Sequence, residues 1–177
     1  YEAGLAAVDT GAKNALAQDF ALPDPAVLAA MNKDERVELA GKIAMDTQGW
    51  PPTELREPMV MGDVMEELLP ERSGQWKGIS EVISATGTVL VYQRERNTGF
   101  VRLEDLETVH GPGLRVLLIE TRYPVAFSAI GKTLDLGKLK STRGNHNYHY
   151  AGTARGYRAA AVVSMTLQVI YAVASLQ

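Results

Sequence analysis

"TGTVLVYQRERNTGFVRLEDL", residues 86–106, decides the fold. Its apolar residues recur with a period of two, not 3.6. Val101 and Leu103 point one way and Arg102 and Glu104 the other, as they do on a pleated strand. Asn97-Thr98-Gly99 interrupts the run, and glycine suits the positive φ that a tight hairpin needs. The stretch therefore reads as strand, turn, strand.

The same period continues to the C-terminus. "HGPG" at 110–113 is a second turn, followed by the apolar "LRVLLIE" at 114–120. "KTLDLGKL" at 132–139 is short and extended. "AAAVVSMTLQVIYAVAS" at 159–175 is rich in β-branched residues and broken by Ser164, Thr166 and Gln168. It falls short of the roughly 18 apolar residues of a membrane helix, so it reads as two buried strands or one long bent strand. Short strands separated by turns, with no helix between them, predict an antiparallel β-sandwich or barrel.

Ahead of about Gln75 the period is helical. In "LPDPAVLAAM" (22–31) Asp24 is placed as an N-cap, with Pro25 at the first helical position. "NKDERVELAGKIAM" (32–45) opens with Asn32 and has Glu35 three residues on, a capping box. Val37, Ala40 and Ala44 share one face of that helix, with Leu39 and Ile43 adjoining. "GWPPTELREP" (49–58) reads as a turn or short extended linker. "PMVMGDVMEELL" (58–69) spaces Met61, Val64, Met65 and Leu68 as one helical face. The chain thus divides into a helical segment over 1–74 and a β domain over 75–177, mainly β overall.

Composition bounds the function. The 177 residues are 46% hydrophobic and 22% charged, which is globular. A net charge of −3 offers no basic field for nucleic acid. There is no cysteine, so thiolate chemistry and disulfides are excluded. The chain begins at Tyr1 rather than methionine, which leads us to expect processing, with an export signal removed.

Four stretches in order resemble a known family. They are "ATGTVLVYQ" (85–93), "GFVRLEDLETVHGPGLRVLL" (99–118), "LDLGKLKSTRGNHNYHY" (134–150) and "GYRAAAVVSMTLQVIYAVASL" (156–176). Over about 76–176 they resemble the DM-thirteen domain. That extracellular module stands beside DOMON domains in the animal Skeletor proteins and alone in many bacterial exported proteins. The resemblance implies a structural role for Gly111, Pro112, Gly137, Leu139, Lys140, Gly144, Asn147 and Tyr148. It also implies redox or electron transfer, proposed for the family on a cysteine in the penultimate strand. That position falls on Ser164 here, and serine has no accessible redox couple. His110 and Gly113 stand where the family usually has Asn or Asp.

Within "DLGKLKSTRGNHNYHY" (135–150), Gly137 and Gly144 are expected to allow turns and Asn145 and Asn147 to bond backbone. Tyr148 is expected to pack its ring and send its hydroxyl to a partner. His110, His146 and His149 are the candidate metal ligands, but on a strand positions 146 and 149 face opposite sides. Glu104, Asp105 and Glu107 are candidate paired carboxylates. Lys138, Lys140, Arg143, Arg155 and Arg158 are a candidate basic patch. Tyr92, Tyr148, Tyr157 and Tyr171, with Trp76, are candidate electron relays. No nucleophile elbow, phosphate loop or dinucleotide fingerprint is present.

The expected function is a non-enzymatic extracytoplasmic module, secreted, periplasmic or at the cell surface, with no cofactor. It would bind a protein partner or assemble with itself through the N-terminal helices, with any membrane anchor outside this chain. The alternative is the redox module that the resemblance implies.

Overall fold

A computed structural model describes residues 20–60, 69–95 and 97–177 of the chain. Two helices open them, α1 (Pro25–Ala30) and α2 (Lys33–Asp46). Ten strands follow: β1 (Glu54–Arg56), β2 (Arg72–Gln75), β3 (Lys77–Gly78), β4 (Ala85–Arg94), β5 (Thr98–Thr108), β6 (Leu114–Ile119), β7 (Thr133–Lys138), β8 (Arg143–Ala151), β9 (Ala159–Ser164) and β10 (Val169–Ser175). They form two five-stranded sheets, ordered β1-β8-β5-β4-β2 and β3-β10-β9-β6-β7. The protein is mainly β, with a sandwich-like pair of sheets and a short helical region near its N-terminus.

The helices start where their caps dictate. Asp24 accepts from the Ala26 amide with Pro25 behind it, and Asn32 and Glu35 exchange both capping-box bonds. On α2, Ala40, Ile43 and Ala44 are buried in the main core. Val37, expected on their face, is 36% exposed instead. Arg36 pins the helix to the sandwich by donating from Nη1 to the Leu167 carbonyl at 3.0 Å. The amphipathic stretch built on Met61, Val64, Met65 and Leu68 lies outside the described residues.

The hairpin over 86–106 forms as β4 and β5. Its left-handed residue is Asn97 (φ 53), not Gly99. Gly99 is already inside β5, where a Cβ would overlap the Tyr92 carbonyl and the Tyr150 ring. Close packing, not turn geometry, requires glycine there. Val89, Val91, Val101 and Leu103 face the second sheet and share a core with Val116, Leu118, Val162, Tyr171 and Ala172. Each such side chain is worth about 1.5–3 kcal/mol on burial.

The run 159–175 forms two strands, β9 and β10, joined by a turn. Ala159, Ala161 and Val163 face away from the main core, where Phe127 and Ile130 cover them. With both faces buried, β9 is buried throughout and apolar up to Ser164 instead of alternating.

Among the described residues every pairing is antiparallel except one. β1 lies parallel to β8, with Leu55 opposite Gly144. It sits inside the stretch that the sequence reads as a turn or linker, and all three of its residues are exposed. Apolar patterning carries no signal for such a strand, which is held by backbone bonding to β8 and by side-chain contacts such as that of Arg56 with Asp105. A Cβ at Gly144 (φ +119) would overlap the Leu55 carbonyl oxygen.

Candidate functional site

The segment 135–150 carries the chain from one sheet to the other, as β7, a four-residue crossover and β8. Leu139 donates its N–H to Leu114 on the side being left, and the Thr142 carbonyl accepts from Thr108 on the side being joined. Between them a chain of hydrogen bonds runs in one direction. The Lys140 amide donates to the Tyr148 hydroxyl at 3.1 Å. That hydroxyl lies 3.3 Å from His146 Nδ1, and His146 Nε2 lies 2.6 Å from Ser141 Oγ. Ser141 Oγ donates in turn to the Arg143 carbonyl at 2.6 Å. A carbonyl only accepts, so the Ser141 proton goes to Arg143 and His146 Nε2 must be the donor to Ser141 Oγ; a neutral ring then accepts the Tyr148 proton at Nδ1. The imidazole is neutral, with its hydrogen on Nε2. His146 is 0% exposed, and burial lowers its pKa, which agrees with a neutral ring. Tyr148 is buried, and burial raises its hydroxyl pKa, keeping it a donor.

This assignment decides what the serine–histidine pair can do. A histidine that activates a serine must accept its proton. Here the proton of Ser141 goes to a carbonyl, and Ser141 is itself buried. The pair is a lock on the crossover.

On the other face of β8, Asn147 joins β5 to the segment that follows β1. Its Oδ1 accepts from Arg102 at 3.0 Å and its Nδ2 donates to the Pro58 carbonyl at 2.8 Å. Glu57 accepts from the Asn147 amide and from Lys140 Nζ at 2.6 Å, and the Lys140 ammonium lies 4.9 Å from the centre of the Tyr148 ring. Burial alone would raise the Glu57 carboxyl, but the Lys140 ammonium and the Asn147 amide outweigh it and hold the group below its usual range. Arg102 is buried on this outer face because Glu104, Asn147 and the Glu57 carbonyl satisfy it. Strand alternation predicted its direction but not its burial. Asn145 accepts from the Asp105 amide, where β5 bulges with Asp105 at φ 50.

The three histidines sit in three different environments. His146 is locked inside, His149 is exposed beside Phe100, and His110 lies against Trp50 at 5.5 Å. Among the described residues no group of three His, Asp or Glu could hold a metal ion. Glu104 pairs with Arg102 and Glu107 with Arg143, while Asp105 is 3.8 Å from Arg56, so each carboxylate faces a different arginine. Lys140 and Arg143 of the basic patch are neutralised by Glu57 and Glu107. Lys138, Arg155 and Arg158 are exposed. Tyr92, Tyr148, Tyr157, Tyr171 and Trp76 are all buried hydrophobics.

Ser164 is 0% exposed. Its hydroxyl donates to the Pro112 carbonyl at 2.6 Å and accepts from the Leu167 amide at 3.1 Å. It thereby ties the "HGPG" turn to the β9–β10 turn, a link that the Met165 amide repeats at the Gly113 carbonyl. Gly111 packs against the Tyr171 ring, too closely for a Cβ. Gly137 (φ +115) marks a register shift between β6 and β7.

Two surface hollows are not marked by any sequence motif. One, of about 410 Å³, lies between α2 and the segment 124–128, with Val37, Ile79, Val125 and Phe127 in its wall and Lys33, Asp34 and Arg36 at its rim. The other, of about 270 Å³, lies where the end of α2 meets the loops around Trp50, Glu81, His110 and Thr142. Comparison of the chain with protein-family models, with curated proteins and with solved structures finds no match in any of the three.

Proposed function

We propose that the chain is a non-enzymatic binding module that works outside the cytoplasm, in cell-envelope or extracellular assembly. It contacts a protein partner through the helical side of the sandwich. What supports this reading is one cluster of exposed apolar side chains around the larger hollow. Val125 is 80% exposed, Ile79 40% and Val37 36%. Soluble surfaces scatter such residues singly, and a concentration of them beside a concave wall suits a docked apolar segment. The rim carries Lys33 and Arg36 against Asp34 alone. The complementary partner therefore presents apolar side chains next to a carboxylate. The extracytoplasmic setting rests on the resemblance to the DM-thirteen domain.

The redox alternative needs a carrier at position 164. In this chain that position holds a serine whose two hydrogen bonds join two turns. We read it as a structural tie.

A photo-crosslinking amino acid at Val125, in the protein expressed in its source cells, tests the partner. The reading expects a discrete protein adduct that weakens with Val37→Asp and with Lys33→Glu. No adduct, or one indifferent to both changes, contradicts it. Protease accessibility in intact cells tests the compartment.

A further inference from the structure

The smaller hollow lies at the loop end of the sandwich, separate from the protein-docking surface proposed above. Its polar wall comes from Gln48 just after α2, Trp50, Glu81 before β4, Glu107 near the end of β5, His110 after it, and Arg143 at the start of β8. These are planar polar groups: an amide, two carboxylates, an imidazole and a guanidinium. Each holds its donors or acceptors in a fixed fork. Among the described residues, the side chains of Gln48 and Glu81 make no hydrogen bond or ion pair. The His110 ring makes no hydrogen bond either, only its contact with Trp50. Arg143 uses Nη2 on Glu107 at 3.1 Å, while its Nε is buried with no partner. That Nε has no accessible surface, so what the guanidinium offers the hollow is its outer part, on a side chain that is 39% exposed.

The Trp50 indole is held in place by Phe20 at 5.3 Å on one contact and His110 at 5.5 Å on another. A rigid aromatic among forked donors and acceptors suits a ring that has hydroxyls on its edge and C–H groups on its face. The local charge argues against an anion. Glu107 is balanced by Arg143, and Glu81 is not balanced. The carboxyl end of α2 points its carbonyls this way with no basic residue in its last turn. The volume, about 270 Å³, is just below the usual range of about 300–1,000 Å³ for small-molecule sites. It suits one compact unit.

We infer that this hollow is a binding site for a neutral saccharide unit. Trp50 offers its ring to the sugar face, Glu81 and Gln48 take hydroxyl contacts, and the exposed part of the Arg143 guanidinium donates to a sugar oxygen.

NMR titration of the full chain tests the site. The probes are cellohexaose, laminarihexaose, mannohexaose and N-acetylchitohexaose, with a sulfated heparin hexasaccharide for comparison. The chain has two tryptophans, and Trp76 is buried at 4% exposure, so its indole signal is an internal control. At least one neutral hexasaccharide should shift the Trp50 indole signal saturably. Trp50→Ala and the exposed change Glu81→Ala should each weaken binding about tenfold or more. Glu81→Ala should do so with no loss of thermal stability. The inference is overturned if no neutral sugar shifts Trp50 up to about 10 mM. It is equally overturned if binding survives Glu81→Ala, or if the sulfated sugar binds in preference. None of these outcomes affects the cross-linking result at Val125.

Discussion

His146 Nε2 lies 2.6 Å from Ser141 Oγ, and the serine's own proton is committed to the Arg143 carbonyl. This relationship turns what looks like a catalytic pair into a clamp on the crossover between the sheets. The clamp shares Arg143 with the wall of the smaller hollow, so it positions the one cation there.

Tyr148→Phe removes the one hydroxyl that both accepts from Lys140 and donates to His146. Leaving two buried partners unpaired should cost about 1–3 kcal/mol. Chemical denaturation measures it. The double variant with Ser141→Ala should show a non-additive loss, because both residues belong to one chain of bonds.

Acid should weaken the fold in two stages. Burial lowers the His146 pKa from the free value of 6.5. Below 6.5 the unfolded chain takes up a proton that the folded chain refuses, so stability falls as pH falls. Glu57 is held below 4.5, so its contribution is present above that value and is lost on further acidification. The melting temperature should therefore decline between pH 7 and 5, and His146→Gln should flatten that part of the profile alone.

Ser164→Ala should cost about 1–3 kcal/mol, since it strands the Pro112 carbonyl and the Leu167 amide. Ser164→Cys should fold with a buried thiol. That thiol should react with an aromatic disulfide reagent only after unfolding, because a reactive cysteine needs access and thiolate character. Rapid reaction in the native protein would favour the redox alternative.

Gly144→Ala should displace β1. The new Cβ meets the Leu55 carbonyl, and φ +119 is strained for alanine. Hydrogen exchange should show the Glu57 amide, now bonded to Asn145 at 2.9 Å, losing protection while β4 and β5 keep theirs.

The strand pattern was legible because burial writes a period of two into β4 and β5, and the helix caps were legible because capping chemistry is local. The three-residue β1 was not, because its side chains are all exposed and its bonds are to backbone. Asn97, not Gly99, takes the left-handed turn, which sequence reasoning misjudged because close packing also selects glycine. The opposed directions of His146 and His149 followed from strand geometry. The link from His146 to Ser141 was missed although only five residues separate them, since the crossover's bend brings them together. The two hollows were invisible because their walls come from segments far apart in sequence.

The most direct test is the ¹⁵N spectrum of the His146 imidazole as pH is lowered from 8 to 5. The clamp predicts a neutral ring with its proton on Nε2 at neutral pH that protonates only below the free value of 6.5, unaffected by added zinc. An ordinary titration near 6.5, the Nδ1–H form, or a zinc-dependent shift would contradict it.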